Sequence, residues 1–208
     1  MKKHYGELKW LYMELYSNEE YFDELCDQMY NWYTNRKDSL KQLDEEREAN
    51  PDWYKKNDLV GMMMYTDAFA GTLNGIRDRL DYVEECHVNY LHLMPLLSSP
   101  PDRSDGGDAV ADFRTVQSTL GTMEDLEKLA EECHERGISI CLDFVMNHTS
   151  EDHEWAVRAK NGEKEYQDRY FFYDTFDIPA QYEATVPQVF PTTAQETLHG
   201  CQSSVSLL

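Results

Sequence analysis

The first fifty residues place apolar side chains at the spacing of an α-helix. Apolar positions recur three and four residues apart in two successive segments, at Leu8, Leu11, Tyr12 and Leu15 and then at Phe22, Leu25, Cys26, Met29, Tyr30 and Tyr33. Ser17 with Glu20 fits a capping box that starts the second helix. A third, more charged helix is expected to end before Pro51. The pattern predicts a helical domain over residues 1–55, with its aromatic side chains used for packing.

The period changes after residue 58. Three short apolar runs, LVGMMMY, VNYLHLMPL and ISICLDF, are typical of parallel strands buried on both faces. Helical segments, TLNGIRDRLDYVEE and TMEDLEKLAEECHERG, lie between them. Thr122 with Asp125 predicts a capping box for the second of these helices, and Gly137 predicts its end. The alternation favours an α/β fold with a parallel sheet and right-handed crossovers.

The connections of this α/β part differ in length. Short turns enter the strands, whereas long segments leave the second and third strands. Long loops at the carboxyl ends of parallel strands are where a (β/α) barrel places its active site. Polar residues in these segments are therefore candidates for function.

The stretch CLDFVMNHTSEDHEWA, residues 141–156, holds the densest set of such groups. It places Asp143 at the end of the third strand and Asn147 and His148 just beyond it. A carboxylate, an amide and an imidazole that converge on one cleft can bind sugar hydroxyls, each of which donates and accepts hydrogen bonds. From spacing alone, a polar loop without a ligand remains equally open.

Charge and cysteine content exclude several classes of partner. A formal net charge of -21 makes nucleic acid and anionic membrane surfaces poor partners, so a neutral or cationic small molecule is expected. The five cysteines form no CxxC pair, which argues against a disulfide framework or a zinc knuckle. His148 and His153 are not spaced to share one helical face, so we predict no metal and no cofactor.

Targeting signals are not apparent in the chain. Glu7 and Glu14 interrupt the segment that a secretory signal would keep apolar. No stretch reaches the roughly 18 apolar residues of a membrane span. These observations predict a cytoplasmic protein.

The motif DFVMNH resembles the first conserved region of the α-amylase superfamily, whose members are glycoside hydrolases and transglucosylases built on a (β/α)₈ barrel. Together with YLHLMPLL, PDW, YTDAFAGTL, DGG, NHTSEDHEWA and the helical start, it resembles the amylosucrases over residues 10–194. The resemblance implies a helical domain (1–55), the first three β/α units of an incomplete TIM barrel (56–148) and the start of an insertion domain (149–194).

The resemblance also implies a reaction. Such enzymes are retaining: they transfer the glucosyl unit of sucrose to an α-glucan or to water, using two carboxyl groups about 5 Å apart. The nucleophile follows the fourth strand and the acid/base the fifth, so this chain is expected to hold neither and to be inactive alone. The implied partners are sucrose and an α-glucan acceptor. A sucrose hydrolase, an α-glucosidase or a trehalose-synthase type remains an alternative.

Six positions match residues of that family's sugar site. His148 and Asp105 match positions that contact the substrate. Asp143 and Asn147 match supporting groups. The remaining two, Tyr65 and Asp67, match residues at the barrel mouth with a more structural role.

Two departures accompany this match. Asp108 stands after DGG where the family usually has a tyrosine that stacks on the glucosyl ring, and Phe113 stands where tyrosine is common. The change at Asp108 replaces an aromatic platform with a negative charge, whereas Phe113 keeps the apolar face of the ring.

Residues 195–208, QETLHGCQSSVSLL, depart from the family altogether. A one-base shift in codons for Pro-Gly-Asn-Phe-Thr-Trp spells residues 195–200, which predicts a frameshifted tail. A non-enzymatic hypothesis also remains open, in which the helical domain is an interaction module attached to a barrel remnant.

Overall fold

The computed structural model describes residues 3–101, 103–104, 106–173, 175, 177–183, 185 and 204–205. The chain divides into two compact units, Met1–Asn57 and Asp58–Leu208. Asp105 and most of the 195–208 tail lie outside the described residues, so the structure bears on neither.

The first unit consists of α1 (Tyr5–Tyr16), α2 (Glu19–Asn35), α3 (Asp38–Ala49) and a 3₁₀ turn at Trp53–Lys55. Phe22 is its one fully buried side chain among the described residues, and the rings of Tyr5 and Tyr12 lie 5.6 and 5.3 Å from it. Several aromatic side chains predicted to pack, including Tyr30 and Tyr33, are exposed instead. The core of this unit is therefore small.

The start of α2 corrects one prediction. Asn18 caps the helix, and its side-chain oxygen accepts a 3.0 Å hydrogen bond from the backbone N–H of Tyr21. Ser17, predicted to be the cap, adopts a left-handed conformation with φ of 48°, and its hydroxyl donates back to the Met13 carbonyl. Ser17 lies at the C-terminal end of α1 and its side chain bonds within that helix. The prediction that Ser17 caps α2 is therefore wrong.

The second unit is built on three parallel strands, β1 (Gly61–Met64), β2 (Tyr90–Leu93) and β5 (Ser139–Leu142), in the order β1-β2-β5. The helices α4 (Thr66–Ala70), α5 (Leu73–Arg77) and α6 (Leu80–Glu85) connect β1 to β2, and α7 (Met123–Glu135) precedes β5. The predicted parallel α/β arrangement is confirmed. The helix predicted as continuous over 72–85 is broken, because the Arg79 amide bonds to the Ile76 carbonyl three residues back.

The ends of α7 follow the sequence prediction. Thr122 and Asp125 form the capping box, each side chain bonded to the other's backbone N–H. Gly137 follows the helix with a φ of 73°. Helix and sheet then bury one continuous apolar core, which contains Met64, Leu73, Ile76, Leu80, Val83, Leu91, Leu93, Leu126, Leu129 and Cys133.

The opposite face of the sheet corrects the prediction that the strands are buried on both faces. Met63, His92 and Cys141 occupy paired positions on this face, and Met63 is 66% exposed. Side chains alternate along a strand, and the helices cover only one side. Such a row faces the packed interior in a closed barrel, whereas the described residues form an open three-stranded sheet.

Two smaller sheets follow from the long connections. The strands β3 (Leu97–Ser98) and β4 (Asp112–Val116) form an antiparallel pair after β2. Beyond β5 come α8 (Glu154–Lys160), α9 (Lys164–Gln167), β6 (Phe172–Tyr173), α10 (Asp177–Glu183) and β7 (Ser204–Val205), with β6 paired to β7. In the part of the chain that the structure describes, no helix has both the length and the apolar character needed to cross a membrane.

Candidate functional site

The candidate site lies at the carboxyl ends of the three parallel strands. The Met94 amide donates a 2.9 Å hydrogen bond to the Met64 carbonyl, and the Asp143 amide donates a 3.2 Å bond to the Leu93 carbonyl. The ladder therefore continues one step beyond the strands and holds their ends side by side. Tyr65 and Asp143 leave the sheet from its two edge strands, and both stand at this end of it.

Loop A, residues 94–111, leaves β2 and reaches back over the strand ends. Its tip contains Gly106 and Gly107, with φ of 63° and 100°. A Cβ at Gly106 would lie 2.9 Å from the Tyr65 hydroxyl oxygen, and one at Gly107 would lie 2.8 Å from the Pro95 Cβ. Both glycines have the left-handed φ that favours glycine, and Gly107 also approaches the Pro95 ring too closely for a side chain. The backbone of the tip thus lies against Pro95 and against the end of the Tyr65 side chain.

Loop B, residues 143–153, leaves β5 and carries the predicted amide and imidazole. The Asn147 side-chain N–H₂ lies 3.2 Å from Nδ1 of His148. Because an amide nitrogen only donates, Nδ1 accepts, and a neutral ring then carries its proton on Nε2. The contact with Asn147 thereby orients the His148 ring.

The other predicted positions have different surroundings. Asp67 lies in the first turn of α4, where Oδ1 accepts a 2.8 Å hydrogen bond from the Ala68 amide. Asp108 is exposed in loop A, and its carbonyl accepts from the Val110 amide. Asp105 lies outside the described residues. The structure thus brings Tyr65, Asp143, Asn147 and His148 to one end of the sheet.

Loops A and B are fastened to each other. The Ser150 amide donates to the Val110 carbonyl at 2.8 Å, and Arg103 forms ion pairs with Glu151 and with Asp152, the latter at 2.6 Å. Sequence reasoning missed Arg103. It is the one Lys or Arg between residues 80 and 113, in a stretch otherwise rich in Asp, and this isolation was the available signal.

An aromatic cluster joins β4, loop B and α8. The Phe113 ring lies 5.4 Å from Phe144 and 5.7 Å from His153, which in turn lies 5.3 Å from Trp155. His153 is buried, and its Nδ1 accepts the Trp155 amide hydrogen at the start of α8. Burial lowers the pKa of His153, although the Asp112 carboxylate opposes this shift. His153 therefore acts as a neutral helix cap.

Charged groups around the site are held ionised by their neighbours. The Arg114 amide and the Thr115 hydroxyl lower the pKa of Asp112 through hydrogen bonds. The Lys160 ammonium, 2.9 Å away, lowers the pKa of Glu151, and Arg103 adds to the effect. Among the described residues, no group of three or more His, Cys, Asp or Glu side chains is placed to hold a metal ion.

The site therefore offers polar groups at the carboxyl ends of the strands. A carboxylate, an amide and an oriented imidazole N–H provide acceptors and donors of the kind that bind polyhydroxylated ligands.

Comparisons with known proteins show what the chain resembles. The family described as alpha amylase, catalytic domain, matches residues 33–197. The oligo-1,6-glucosidase of Heyndrickxia coagulans is 37% identical over 131 residues, which are 59% of this chain and 23% of that protein. The trehalose-6-phosphate hydrolase of Bacillus subtilis is 33% identical over 143 residues, 64% of this chain and 25% of that protein.

Solved structures agree in fold. The trehalose-6-phosphate hydrolase of Bacillus licheniformis has a TM-score of 0.53 at 34% identity, over 59% of this chain and 23% of that one. A mutant isomaltulose synthase of Erwinia rhapontici, in complex with its natural substrate sucrose, has a TM-score of 0.54 at 32% identity, over 62% and 24%. The chain spans about a quarter of the length of the relatives it matches. It belongs to the α-amylase family, and it carries part of the TIM-barrel-type catalytic domain of that family.

Proposed function

We propose that this chain supplies the substrate-binding wall of a retaining α-glucosyl-transferring site that acts on sucrose, as in the amylosucrases, with an α-glucan or water as acceptor. One observation carries the proposal: Asp143, Asn147 and His148 stand at the carboxyl end of the sheet, with His148 oriented by Asn147.

Each residue has a defined part in this proposal. The Nε2–H of His148 donates to a hydroxyl of the bound glucosyl unit, while Asn147 holds the ring in that orientation. Asp143 supports the charged network around the reacting carbon, and Asp105 provides a second substrate contact. Tyr65 and Asp67 shape the mouth, and Tyr65 does so as the surface on which the Gly106 backbone rests.

Sucrose is the substrate favoured by the motifs that resemble amylosucrases. The isomaltulose synthase of Erwinia rhapontici supports it, since that related structure holds sucrose as its natural substrate. The 37% identity to an oligo-1,6-glucosidase supports the alternative, an α-glucosidase or trehalose-synthase type. The sucrose hypothesis and the α-glucosidase or trehalose-synthase alternative use the same binding residues and differ in the sugar that is bound.

Saturation-transfer NMR on the 208-residue chain tests the binding wall. We expect transfer to sucrose, with isomaltose and trehalose as the competing α-glucosides and β-linked cellobiose as the negative control. The His148→Ala variant should lose the signal, whereas His4→Ala, in the helical unit, should keep it. Equal signals for all four sugars, or an unchanged signal in His148→Ala, would overturn the proposal.

Turnover tests the expected absence of bond cleavage. The family resemblance places the nucleophile and the acid/base after later strands, so fructose release from sucrose by this chain should equal the rate without protein. Measurable release that depends on the protein would contradict this placement.

A further inference from the structure

We propose that Arg103 is a positioning residue for the candidate site. Its guanidinium ties loop A to loop B and thereby fixes the Gly106–Gly107 tip against the strand ends. The inference rests on the proposed function, because the surface that is positioned is the sugar-binding wall.

The first step is the geometry of the ion pair. One terminal nitrogen of Arg103 donates to Glu151, and the other donates to Asp152 at 2.6 Å. The two carboxylates belong to consecutive residues of loop B. A planar guanidinium can reach both at once because its donors diverge in a fixed fork, whereas a lysine ammonium acts as a single point charge.

The second step connects this fork to the helix that follows loop B. The other carboxylate oxygen of Glu151 accepts a 2.9 Å hydrogen bond from Lys160, in the last turn of α8. Glu151 therefore joins Arg103 on loop A to Lys160 on α8. The position of loop A is therefore coupled to the position of α8.

The third step connects Arg103 to the Gly106–Gly107 tip of loop A. The Ser104 hydroxyl oxygen accepts a 3.1 Å hydrogen bond from the Ala109 amide, which closes the base of the turn that contains Gly106 and Gly107. Arg103 immediately precedes this closed turn. Fixing Arg103 therefore fixes the turn as a unit, and the turn in turn lies on Tyr65 and Pro95.

The fourth step separates positioning from general stability. The side chain of Arg103 is half exposed, and exposed ion pairs contribute little to folding. The global fold is held by the apolar core of the second unit, which Arg103 does not enter. Loss of Arg103 should therefore loosen the tip of loop A, while the buried bond from the Ser150 amide to the Val110 carbonyl remains and the unfolding temperature stays nearly unchanged.

Arg136 provides a matched control. It also pairs with two carboxylates, Asp81 and Glu84, and so ties α7 to α6 on the helical side of the sheet. Arg136 bridges its two carboxylates through one terminal nitrogen, and Arg136→Lys replaces this surface guanidinium without touching loops A or B. Any effect common to both variants then reports on losing a surface arginine rather than on the site.

The experiment compares Arg103→Ala, Arg103→Lys and Arg136→Lys with the unchanged 208-residue chain. Hydrogen–deuterium exchange of peptides that cover 104–111 and 147–152 should accelerate roughly fivefold in Arg103→Ala, as expected for the loss of a small surface network. Arg103→Lys should give an intermediate rate, and Arg136→Lys should give none of this effect. In Arg103→Ala, the affinity for sucrose should fall by a similar factor, while the unfolding temperature should stay nearly unchanged.

Three results would overturn the inference: unchanged exchange in Arg103→Ala, the same loop exchange in Arg136→Lys, or faster exchange with unchanged sucrose affinity. If the unchanged chain binds no sugar, the proposed function fails by itself. The exchange data then still decide whether Arg103 fixes loop A.

Discussion

The backbone N–H of Ser150 donates a 2.8 Å hydrogen bond to the carbonyl oxygen of Val110, and both residues are almost completely buried. The bond joins the loops that leave two different strands. A buried backbone group without a partner is costly, so neither loop can leave this position without loss. The two loops that form the candidate site therefore fold as one structure.

Val110→Ala tests the packing around this bond. Removing two buried methyl groups should lower the free energy of unfolding by about 1.5–2.5 kcal/mol, as the lost burial and the cavity add. Urea denaturation followed by circular dichroism measures the loss. Val157→Ala is the matched control, since Val157 is exposed on α8 and its truncation should change little.

Thr122→Ala tests the start of α7. The Thr122 hydroxyl accepts the Asp125 amide hydrogen and thereby satisfies an N-terminal donor of the helix. Its removal should cost about 1 kcal/mol in thermal or urea unfolding. Thr122→Ser should restore most of the stability, and Thr119→Ala, at an exposed site before the helix, should have little effect. A full loss in the Ser variant would argue against the cap.

Cysteine reactivity should separate Cys133 from Cys86. Cys133 is fully buried in the core, whereas Cys86 is exposed. Alkylation followed by peptide mass spectrometry should label Cys86 rapidly in the native chain and Cys133 only on unfolding. Equal labelling rates at the two positions would show that the core opens freely.

Cys133 also predicts a loss of stability in alkali. Burial raises its pKa from 9.0 to about 11 in the folded chain. A folded pKa above the unfolded value means that the stabilisation is complete below pH 9 and is lost as the pH rises toward 11. Urea unfolding at a series of pH values should show this decline, and Cys133→Ala should reduce its slope. An identical slope in the variant would assign the decline to other groups.

The ion pairs of Glu151 predict that the stability of loops A and B falls in acid. Its pKa is lowered by Lys160 first and by Arg103, so it stabilises the fold above the ordinary carboxyl pKa and ceases to do so as pH falls through the folded value. The protection factors of the loop A amides, which correct for the slower intrinsic exchange in acid, should therefore fall as the pH is lowered. Glu151→Gln should show the low protection at neutral pH already, while Glu127→Gln, at an exposed position of α7, should behave as the unchanged chain.

The exposed row on the sheet predicts self-association of the 208-residue chain. In the part that the structure describes, β1 and β5 are edge strands, and Met63 presents an apolar side chain beside one edge. Open edges pair with other chains unless they are charged. Met63→Lys should shift sedimentation-velocity profiles toward the monomer. Met123→Lys, at an exposed position of α7, should leave them as they were.

Local patterns predicted the elements because each depends on neighbours in sequence. The helical spacing around Phe22, the capping box at Thr122 and the end at Gly137 involve groups within a few residues of one another. The same holds for Asp143, which follows its strand directly. At Ser17 the local pattern allowed two helix ends, and the backbone conformation that was adopted gave the cap to Asn18.

By itself, the sequence determined the order of the three parallel strands and the helical segments between them, and it placed Asp143, Asn147 and His148 at a strand end, since periodicity and turn chemistry are local. Only the tertiary structure decided which sheet face stays open, and only it showed Gly106 against Tyr65 and Arg103 against Glu151. The members of these pairs lie about forty or more residues apart in the chain. Their contacts exist because the parallel order β1-β2-β5 brings three carboxyl ends to one edge.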